Sequence, residues 1–306
     1  MRKLTVARIW AALACALSLL VAAPAAVAQD RPRVVAVNYP LQYFAQRLLG
    51  DAAEVEFPVP EGVDPSFWRP SIGDISRVQS ADLILLNGAG FAAWIDRVSL
   101  PRSRVVNTTR GLDAQFIVTE SITHSHGDGG EHSHEGLASY TWLDPALALT
   151  QAETVALAIV GRGLAPEGEV IAALETLRAE MTALDQTAGR LLGAGAGAPI
   201  IATHPRYQYL ARRYRLEVSS LAWEAGAAPT PTELEDLANL ATGTGARVLL
   251  WEAEPPAAAF AATEALGLRN VVFDPMASGP STGSFITGFD AAVAALAEAL
   301  DASPGN

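Results

Sequence analysis

The chain has 306 residues, a single cysteine, and 33 acidic residues against 21 lysines and arginines, which gives a formal net charge of −12. This acidity argues against nucleic acid and anionic membrane surfaces as partners, because both repel a strongly negative protein. The single cysteine excludes an internal disulfide and a thiolate metal cluster. A transition metal would therefore be bound through histidine nitrogen and oxygen ligands.

Residues 1–28 have the pattern of a secretory signal peptide. Three basic residues precede an apolar run over residues 9–21, and small residues then lead to Ala28 in an A-x-A cleavage pattern. The apolar run is shorter than the roughly 20 residues that a membrane span needs. We predict export to the periplasm with cleavage near Ala28, which removes Cys15 and takes the net charge from −12 to −15.

Short β-type runs alternate with helical patterns through the first half of the remaining chain. Strands are predicted over residues 33–38, 53–59, 82–88 and 104–107. Helices are predicted over residues 41–49, 72–80 and 91–98. Residues 120–138 interrupt this alternation, because they are rich in Gly, His, Ser and acidic residues and have no apolar period. That composition predicts a mobile surface loop.

The alternation resumes after this segment. Helices are predicted over residues 146–160 and 167–192, and the second has an apolar stripe at steps of three and four residues, typical of an amphipathic helix. The remaining strands are predicted over residues 199–203, 216–220, 248–251 and 270–273. The remaining helices are predicted over residues 206–214, 230–242, 256–266 and 285–300.

This order of elements predicts an α/β fold of two lobes, each a mostly parallel sheet with flanking helices, joined by a long connecting helix. The predicted N-terminal lobe covers residues 29–165, the connecting helix residues 166–193, and the C-terminal lobe residues 194–306. Ligands of such sheets bind beyond the carboxyl ends of the strands. The expected binding place is therefore a cleft between the lobes.

Four of the five histidines lie close together inside the predicted loop. His124 and His126 form one H-x-H pair, and His132 and His134 form a second pair across a glycine-rich bend with carboxylates nearby. Imidazole nitrogen and carboxylate oxygen are the ligands that zinc prefers when thiolates are absent. We predict that this segment interacts with metal, either as one ordered site or as a fluctuating collector.

Two further candidates stand at predicted strand ends of the second lobe. His204 directly follows the apolar strand 199–203, and Asp274 directly follows the strand 270–273. A histidine and an aspartate at neighbouring strand ends could share a metal ion. The alternative is structural: His204 caps a helix, and Asp274 is an N-cap or turn residue.

Several sequence segments together carry a resemblance to a known family. They are residues 61–70, 81–88 and 142–145, His204 with residues 209–214, and Asp274 with Pro275. In this order they resemble the metal-binding solute-binding proteins of bacterial zinc and manganese ABC importers, over essentially the whole chain after the signal peptide. The resemblance implies two α/β lobes with a metal ion held between them, and in zinc-type members a His-rich loop.

The same resemblance implies a function. We expect a periplasmic substrate-binding component, a monomer, that captures zinc, or manganese or another divalent metal, and delivers it to an ABC permease in the inner membrane. We expect no enzymatic activity, since the chain has no H-E-x-x-H helix, no G-x-S-x-G elbow and no glycine-rich phosphate loop.

The chain departs from the family at two ligand positions. The family has histidine where this chain has Ser66, and a second histidine where it has Tyr140. Of the ligands that the resemblance implies, only His204 and Asp274 keep ligand-type side chains. A serine hydroxyl and a neutral phenol are poor substitutes for imidazole on zinc, so the usual site cannot form as in the family.

Three explanations stay open. The favoured one is that imidazoles such as His132 and His134 enter the cleft and complete a site with His204 and Asp274. In the second, the metal is bound wholly by the His-rich segment. In the third, the cleft takes an oxygen-preferring ion or a chelated metal, with Tyr140, Asp274 and Glu224 as contacts. The functional alternatives are a metal-sequestering or chaperone protein and a carrier of a chelated metal or organic ligand.

Overall fold

The structure is a computed structural model that describes residues 31–125, 131–280 and 282–301, with the backbone alone described for residues 120–125 and 131–135. The predicted signal peptide over residues 1–28 and the bend at residues 126–130, including His126, lie outside the described residues. Among the helices of the described ranges, none is both long enough and apolar enough to cross a membrane.

The N-terminal lobe is built on a four-stranded parallel sheet. Its strands are β1 (Arg33–Ala36), β2 (Glu54–Glu56), β3 (Leu83–Leu86) and β4 (Val105–Asn107), and its helices are α1 (Tyr39–Leu49), α2 (Ile72–Gln79) and α3 (Pro145–Gly161). The strand order is β2-β1-β3-β4. The central strands β1 and β3 are nearly continuous apolar runs and are buried, as expected for parallel strands covered on both faces. The predicted helix over residues 91–98 is instead a short 3-10 turn, Ala93–Arg97.

An antiparallel hairpin stands where the sequence predicts a mobile loop. Its strands are β5 (Val118–Ser125) and β6 (Glu131–Leu137). The backbone register pairs His124 with His132 and Ile122 with His134. The loop prediction was wrong for these residues because it relied on composition. With only Val118, Ile122 and Leu137 as large apolar residues, these strands have no recognisable alternation of apolar and polar positions, whereas backbone pairing does not depend on such alternation.

The helix α4 (Glu167–Leu192) connects the lobes and is 26 residues long, as the apolar stripe predicts. It packs against α1 and α3 of the first lobe and against the last helix of the chain. Its buried positions are Val170, Leu177, Met181, Leu184, Ala188 and Leu192. The limits given above for the two lobes stay a prediction.

The C-terminal lobe repeats the design of the first. Its strands are β7 (Pro199–Ala202), β8 (Glu217–Ser220), β9 (Val248–Trp251) and β10 (Arg269–Val272), and its helices are α5 (Gln208–Tyr214), α6 (Pro231–Thr244), α7 (Ala257–Glu264) and α8 (Phe285–Asp301). All its strand pairs are parallel, in the order β10-β9-β7-β8. The predicted fold class of two α/β lobes with a connecting helix is confirmed.

Buried hydrogen bonds join the lobes directly. The Trp142 indole Nε1 donates to the carbonyl of Pro275 at 2.7 Å. The hydroxyl of Tyr209, at the start of α5, accepts from the Ile117 amide at 3.3 Å and donates to the carbonyl of Ala138 at 3.1 Å. Residues 117 and 138 flank the base of the hairpin, so one phenol of the second lobe fixes the point where the hairpin leaves the first.

We expect Tyr209→Phe to lower the free energy of unfolding by about 1–3 kcal/mol, because it leaves a half-buried amide and a buried carbonyl without their partner. Tyr207→Phe is the matched control: its hydroxyl donates to the carbonyl of Phe273 at 2.6 Å within the second lobe. Hydrogen exchange should accelerate at the Ile117 amide only in Tyr209→Phe. Equal exchange at that amide in both variants would contradict the assigned anchor.

Candidate functional site

A cleft of about 440 Å³ lies between residues of both lobes. The first lobe contributes residues 62–65, Phe67, Arg69 and Tyr140, and the second contributes Arg206 and residues that follow its strands. The charged groups on its wall are the carboxylates of Asp64, Glu224, Glu252 and Asp274 and the guanidinium groups of Arg69 and Arg206. Carboxylates outnumber cations, so the wall as a whole favours a positively charged solute.

The predicted site residues are only partly brought together. Asp274, Tyr140 and Glu224 all line the cleft. Ser66 is buried and does not line it, and His204, only 1% exposed, is also outside the lining. Within the part of the chain that the structure describes, no group of three or more histidine, cysteine, aspartate or glutamate residues is placed to hold a metal ion.

His204 lies directly after β7, at the predicted strand end, but in a buried environment. Its Nδ1 lies 2.9 Å from the carbonyl oxygen of Trp223. Because a carbonyl only accepts, this contact requires the proton on Nδ1. Such a second hydrogen bond commonly fixes the ring of a ligand histidine, and it equally satisfies a structural one. The role of His204 as a ligand stays a prediction.

The central side chain of the cleft is Arg206, which the sequence reasoning missed. It is 6% exposed. Its Nη2 donates to Asp64 Oδ2 at 2.6 Å, and its Nε donates to Glu252 Oε2 at 3.1 Å. The guanidinium carbon also lies 4.6 Å from the ring centroid of Tyr140 and 5.6 Å from that of Phe67, within cation–π range.

The two residues that replace the family's histidines bind to each other. Ser66 Oγ donates to Asp64 Oδ1 at 2.6 Å, and the Ser66 amide donates to the same oxygen at 2.8 Å. The Tyr140 hydroxyl is hydrogen-bonded to the Ser66 side chain. Burial raises the pKa of Tyr140 well above its ordinary value of 10.0, so the phenol stays neutral. A neutral phenol bound in this network is not available as an anionic metal ligand.

A buried polar network fixes the backbone around Tyr140. Asn87 Nδ2 donates to the carbonyl of Ser139 at 2.9 Å. Gln151 Nε2 donates to Asn87 Oδ1 at 3.0 Å, and Thr141 Oγ1 donates to Gln151 Oε1 at 3.1 Å. The residues on both sides of Tyr140 are therefore held by side chains of the first lobe. This support sets the position of its ring before any solute binds.

The carboxyl of Asp274, on the second-lobe wall of the cleft, has a raised pKa. Burial raises the pKa of its carboxyl, the Met276 amide at 2.7 Å lowers it, and the negative charge of Glu252 raises it, with a net upward shift. Met276 is buried, and its φ of 58° lies in the left-handed region that residues with a side chain disfavour. Strain of this kind persists where the surrounding structure fixes the backbone, often near a functional site.

Two α/β lobes with a cleft at their strand ends and a long connecting helix define the class of two-lobe solute-binding proteins. The sequence model of one family, described as zinc-uptake complex component A, periplasmic, matches residues 34–299. The chain belongs to this family. Its members are substrate-binding transport proteins and not enzymes.

Curated relatives are about a quarter identical to the chain over the aligned residues. The high-affinity zinc uptake system protein ZnuA of Bacillus subtilis (strain 168) is 24% identical over 197 residues, 63% of this chain and 61% of the relative. The zinc-binding lipoprotein AdcA of Streptococcus pneumoniae serotype 4 is 24% identical over 234 residues, 73% of this chain and 45% of the relative. The chain thus spans between 45% and 61% of the length of these relatives.

Solved structures share the fold. The metal-dependent lipoprotein YcdH of Bacillus subtilis has a TM-score of 0.72 at 21% identity, covering 88% of this chain and 99% of that one. The Zn(II)-bound ZnuA-like domain of Streptococcus pneumoniae AdcA has a TM-score of 0.74 at 17% identity, covering 89% and 99%. The Mn2+ complex of FpvC from Pseudomonas aeruginosa has a TM-score of 0.72 at 20% identity, covering 90% and 100%.

We expect Asp274→Asn to stabilise the protein at neutral pH. A carboxyl whose pKa is raised by folding holds its proton more tightly when folded, so wild-type stability falls as the pH rises from about 3.8 through the raised value. Asparagine keeps the oxygen that accepts from the Met276 amide and carries no charge.

Denaturation of both proteins between pH 3 and pH 8 tests this expectation. The advantage of Asp274→Asn should be largest at the upper end of the range and vanish at the lower end, since the wild-type carboxyl is then protonated in both states. Glu224→Gln removes an exposed carboxylate from the same wall and controls for the loss of a negative charge. A pH-independent difference between Asp274→Asn and wild type would refute the electrostatic cause.

Proposed function

We propose that this chain is the substrate-binding component of an ABC importer for a transition-metal ion, with zinc as the cargo. In this proposal the signal peptide directs it to the periplasm, where it acts as a monomer and delivers the ion to an inner-membrane permease. Family membership over residues 34–299 supports the transport role. Zinc in the names of the first relatives supports the choice of ion, while a relative 31% identical over 144 residues is an iron-binding protein of Yersinia pestis, YfeA.

The register of the hairpin carries the zinc assignment. Direct cross-strand partners share a face of a sheet, and so do residues two apart on one strand. Since His124 pairs with His132 and Ile122 pairs with His134, the register puts three histidine positions on one face. Three histidine positions on one face equal the number of protein ligands in many zinc sites that must also release or exchange a ligand. We assign His124, His132 and His134, together with His126, as the zinc ligands.

The cleft supports this assignment by what its wall offers. Ser66 and Tyr140 are bound to each other, and Arg206 stands between two of the carboxylates. Among the side chains that the structure describes, which do not include those of residues 120–135, no three metal-binding groups lie together. The hairpin strand β6 ends three residues before Tyr140, so the proposed zinc face is connected to the cleft by a short, hydrogen-bonded segment.

One observation favours a second candidate, the carrier of a chelated metal or a small organic ligand. The cleft measures about 440 Å³, in the range of about 300–1,000 Å³ that is typical of small-molecule sites and far more than a bare ion needs. Phe67 and Tyr140 give it an aromatic wall beside charged groups. Native mass spectrometry of the protein purified without denaturation tests this candidate, which requires a reproducible organic adduct.

Zinc titration of the metal-free protein by calorimetry tests the main proposal. Wild type should bind about one ion tightly. Replacing His124, His126, His132 and His134 by alanine should weaken binding by at least roughly a hundredfold, because the loss of second-shell partners alone costs about 10–100-fold. His204→Ala, outside the hairpin, should retain the wild-type affinity; a loss of affinity there would return His204 to the ligand set, as the sequence predicts. Binding should weaken as the pH falls through about 6.5, where imidazole protonates.

Absence of zinc binding by wild type would refute the metal-carrier role. Full affinity in the hairpin variant with loss in His204→Ala would move the site into the cleft. The transport step is tested in cells: deletion of the chain should impair zinc-limited growth, and wild type but not the hairpin variant should restore it. Restoration by both would contradict the assigned ligands.

A further inference from the structure

We propose that Arg206 is the specificity-determining residue of the cleft: its guanidinium takes the place between the lobes that a bare divalent ion would need, and so excludes such an ion. This inference rests on the proposed transport function and deepens it by stating what the cleft does not accept. It follows from the contacts of Arg206, from its fixed charge, and from the way these contacts join the lobes.

The contacts of Arg206 fall on the groups that a metal ion would use. The Asp64 carboxylate binds the guanidinium through Oδ2 and Ser66 through Oδ1, so both its oxygens are engaged. Tyr140 and Ser66 stand at the two positions where the family has histidine. The centroid of the Tyr140 ring lies 4.6 Å from the guanidinium carbon of Arg206, and the Tyr140 hydroxyl is hydrogen-bonded to Ser66. An ion bound here would have to displace the guanidinium and break this network.

The charge of Arg206 cannot be removed by its surroundings. A guanidinium group stays protonated at every pH at which proteins are folded, unlike a lysine, whose pKa falls readily on burial. Its donors are directed at Asp64 and Glu252, and its unit positive charge offsets one of their two negative charges. A divalent ion approaching these carboxylates meets a unit positive charge within a few ångströms, in a site where water screens little.

Arg206 also holds the two lobes together, as a metal ion bound between them would. It belongs to the second lobe, as does Glu252, whereas Asp64, Phe67 and Tyr140 belong to the first. The ion pair with Asp64 and the two ring contacts therefore hold the lobes together. This closure uses only groups of the chain. It accounts for the loss of two histidines without loss of an ordered cleft.

The test uses the full chain with the four hairpin histidines changed to alanine, so that hairpin binding cannot obscure the cleft. In this background, Arg206→Met should bind Zn2+ or Mn2+ at least roughly a hundredfold more tightly than its parent, because removal of a unit charge so close to a divalent ion at an effective dielectric of about 20 exceeds that ratio. Arg206→Lys keeps a positive charge, because its ammonium lies beside the carboxylates of Asp64 and Glu252, and should show no gain. Adding Asp64→Asn to Arg206→Met should abolish the gain in affinity that Arg206→Met alone produces.

No gain in a folded Arg206→Met variant, as judged by circular dichroism, would overturn the proposal. The proposal would also be overturned if the parent with the four hairpin histidines changed to alanine bound Zn2+ tightly and Glu252→Gln weakened that binding. The cleft would then accept a bare ion beside Arg206. These results do not depend on whether the hairpin binds zinc in wild type. A failure of this proposal can therefore be distinguished from a failure of the proposed hairpin ligands.

A measurement on the unaltered cleft covers the case in which Arg206→Met does not fold. The Nε–H resonance of Arg206, assigned by its absence in Arg206→Lys, should be protected from solvent exchange by the contact with Glu252. Saturation of wild type with Zn2+ should leave this resonance in place. Its loss or a large shift would show that the ion displaces the guanidinium and would overturn the proposal.

Discussion

The contact between Arg206 and Asp64 is the interaction on which the arrangement of the cleft depends. Removing one member of a buried ion pair leaves an uncompensated charge, which typically costs about 3–5 kcal/mol. Here the guanidinium is satisfied from both lobes, by Asp64 at 2.6 Å and by Glu252 at 3.1 Å. The aromatic rings of Tyr140 and Phe67 complete its surroundings. The position of the first-lobe wall is thus fixed by a single cation of the second lobe.

The rest of the first lobe supports that contact by fixing its partners. The network of Asn87, Gln151 and Thr141 holds the backbone on both sides of Tyr140. The two hydrogen bonds from Ser66 to one Asp64 oxygen leave the other oxygen directed at Arg206. Buried polar groups of this kind are stabilising only when every member finds a partner, so the geometry is well defined. A cleft built this way is pre-organised for one arrangement of its charges.

Most of the fold could be predicted from the sequence, because parallel strands buried on both faces leave continuous apolar runs such as residues 248–251. The same rule of polar residues at strand ends selected Asp274, which lines the cleft, and it would have selected Glu252, directly after β9, had it been applied there. Arg206 could not be found in this way. Whether an arginine is buried depends on carboxylates distant in sequence, here 142 and 46 residues away.

The hairpin is an element whose secondary structure could not be predicted from the sequence. Residues 118–125 and 131–137 pair through their backbones, and a polar sequence rich in serine and histidine carries little information about such pairing. The Tyr209 anchor at its base was equally hidden, because a tyrosine followed by an arginine pair reads as an ordinary helix start. Sequence patterns report which residues face a core, whereas the hairpin depends on backbone pairing and the Tyr209 anchor on two hydrogen bonds between remote segments.

The segment from His204 to Tyr209 is the stretch through which the cleft and the base of the hairpin are joined. Within six consecutive positions it is bound to the Trp223 carbonyl, to the charges of the cleft through Arg206, to the end of β10 through Tyr207, and to the base of the hairpin through Tyr209. A solute that displaces this segment from either side changes the free energy of occupying the other. By reciprocity, any effect that occupation of the cleft has on the hairpin through this segment must be matched by an equal effect of the hairpin on the cleft.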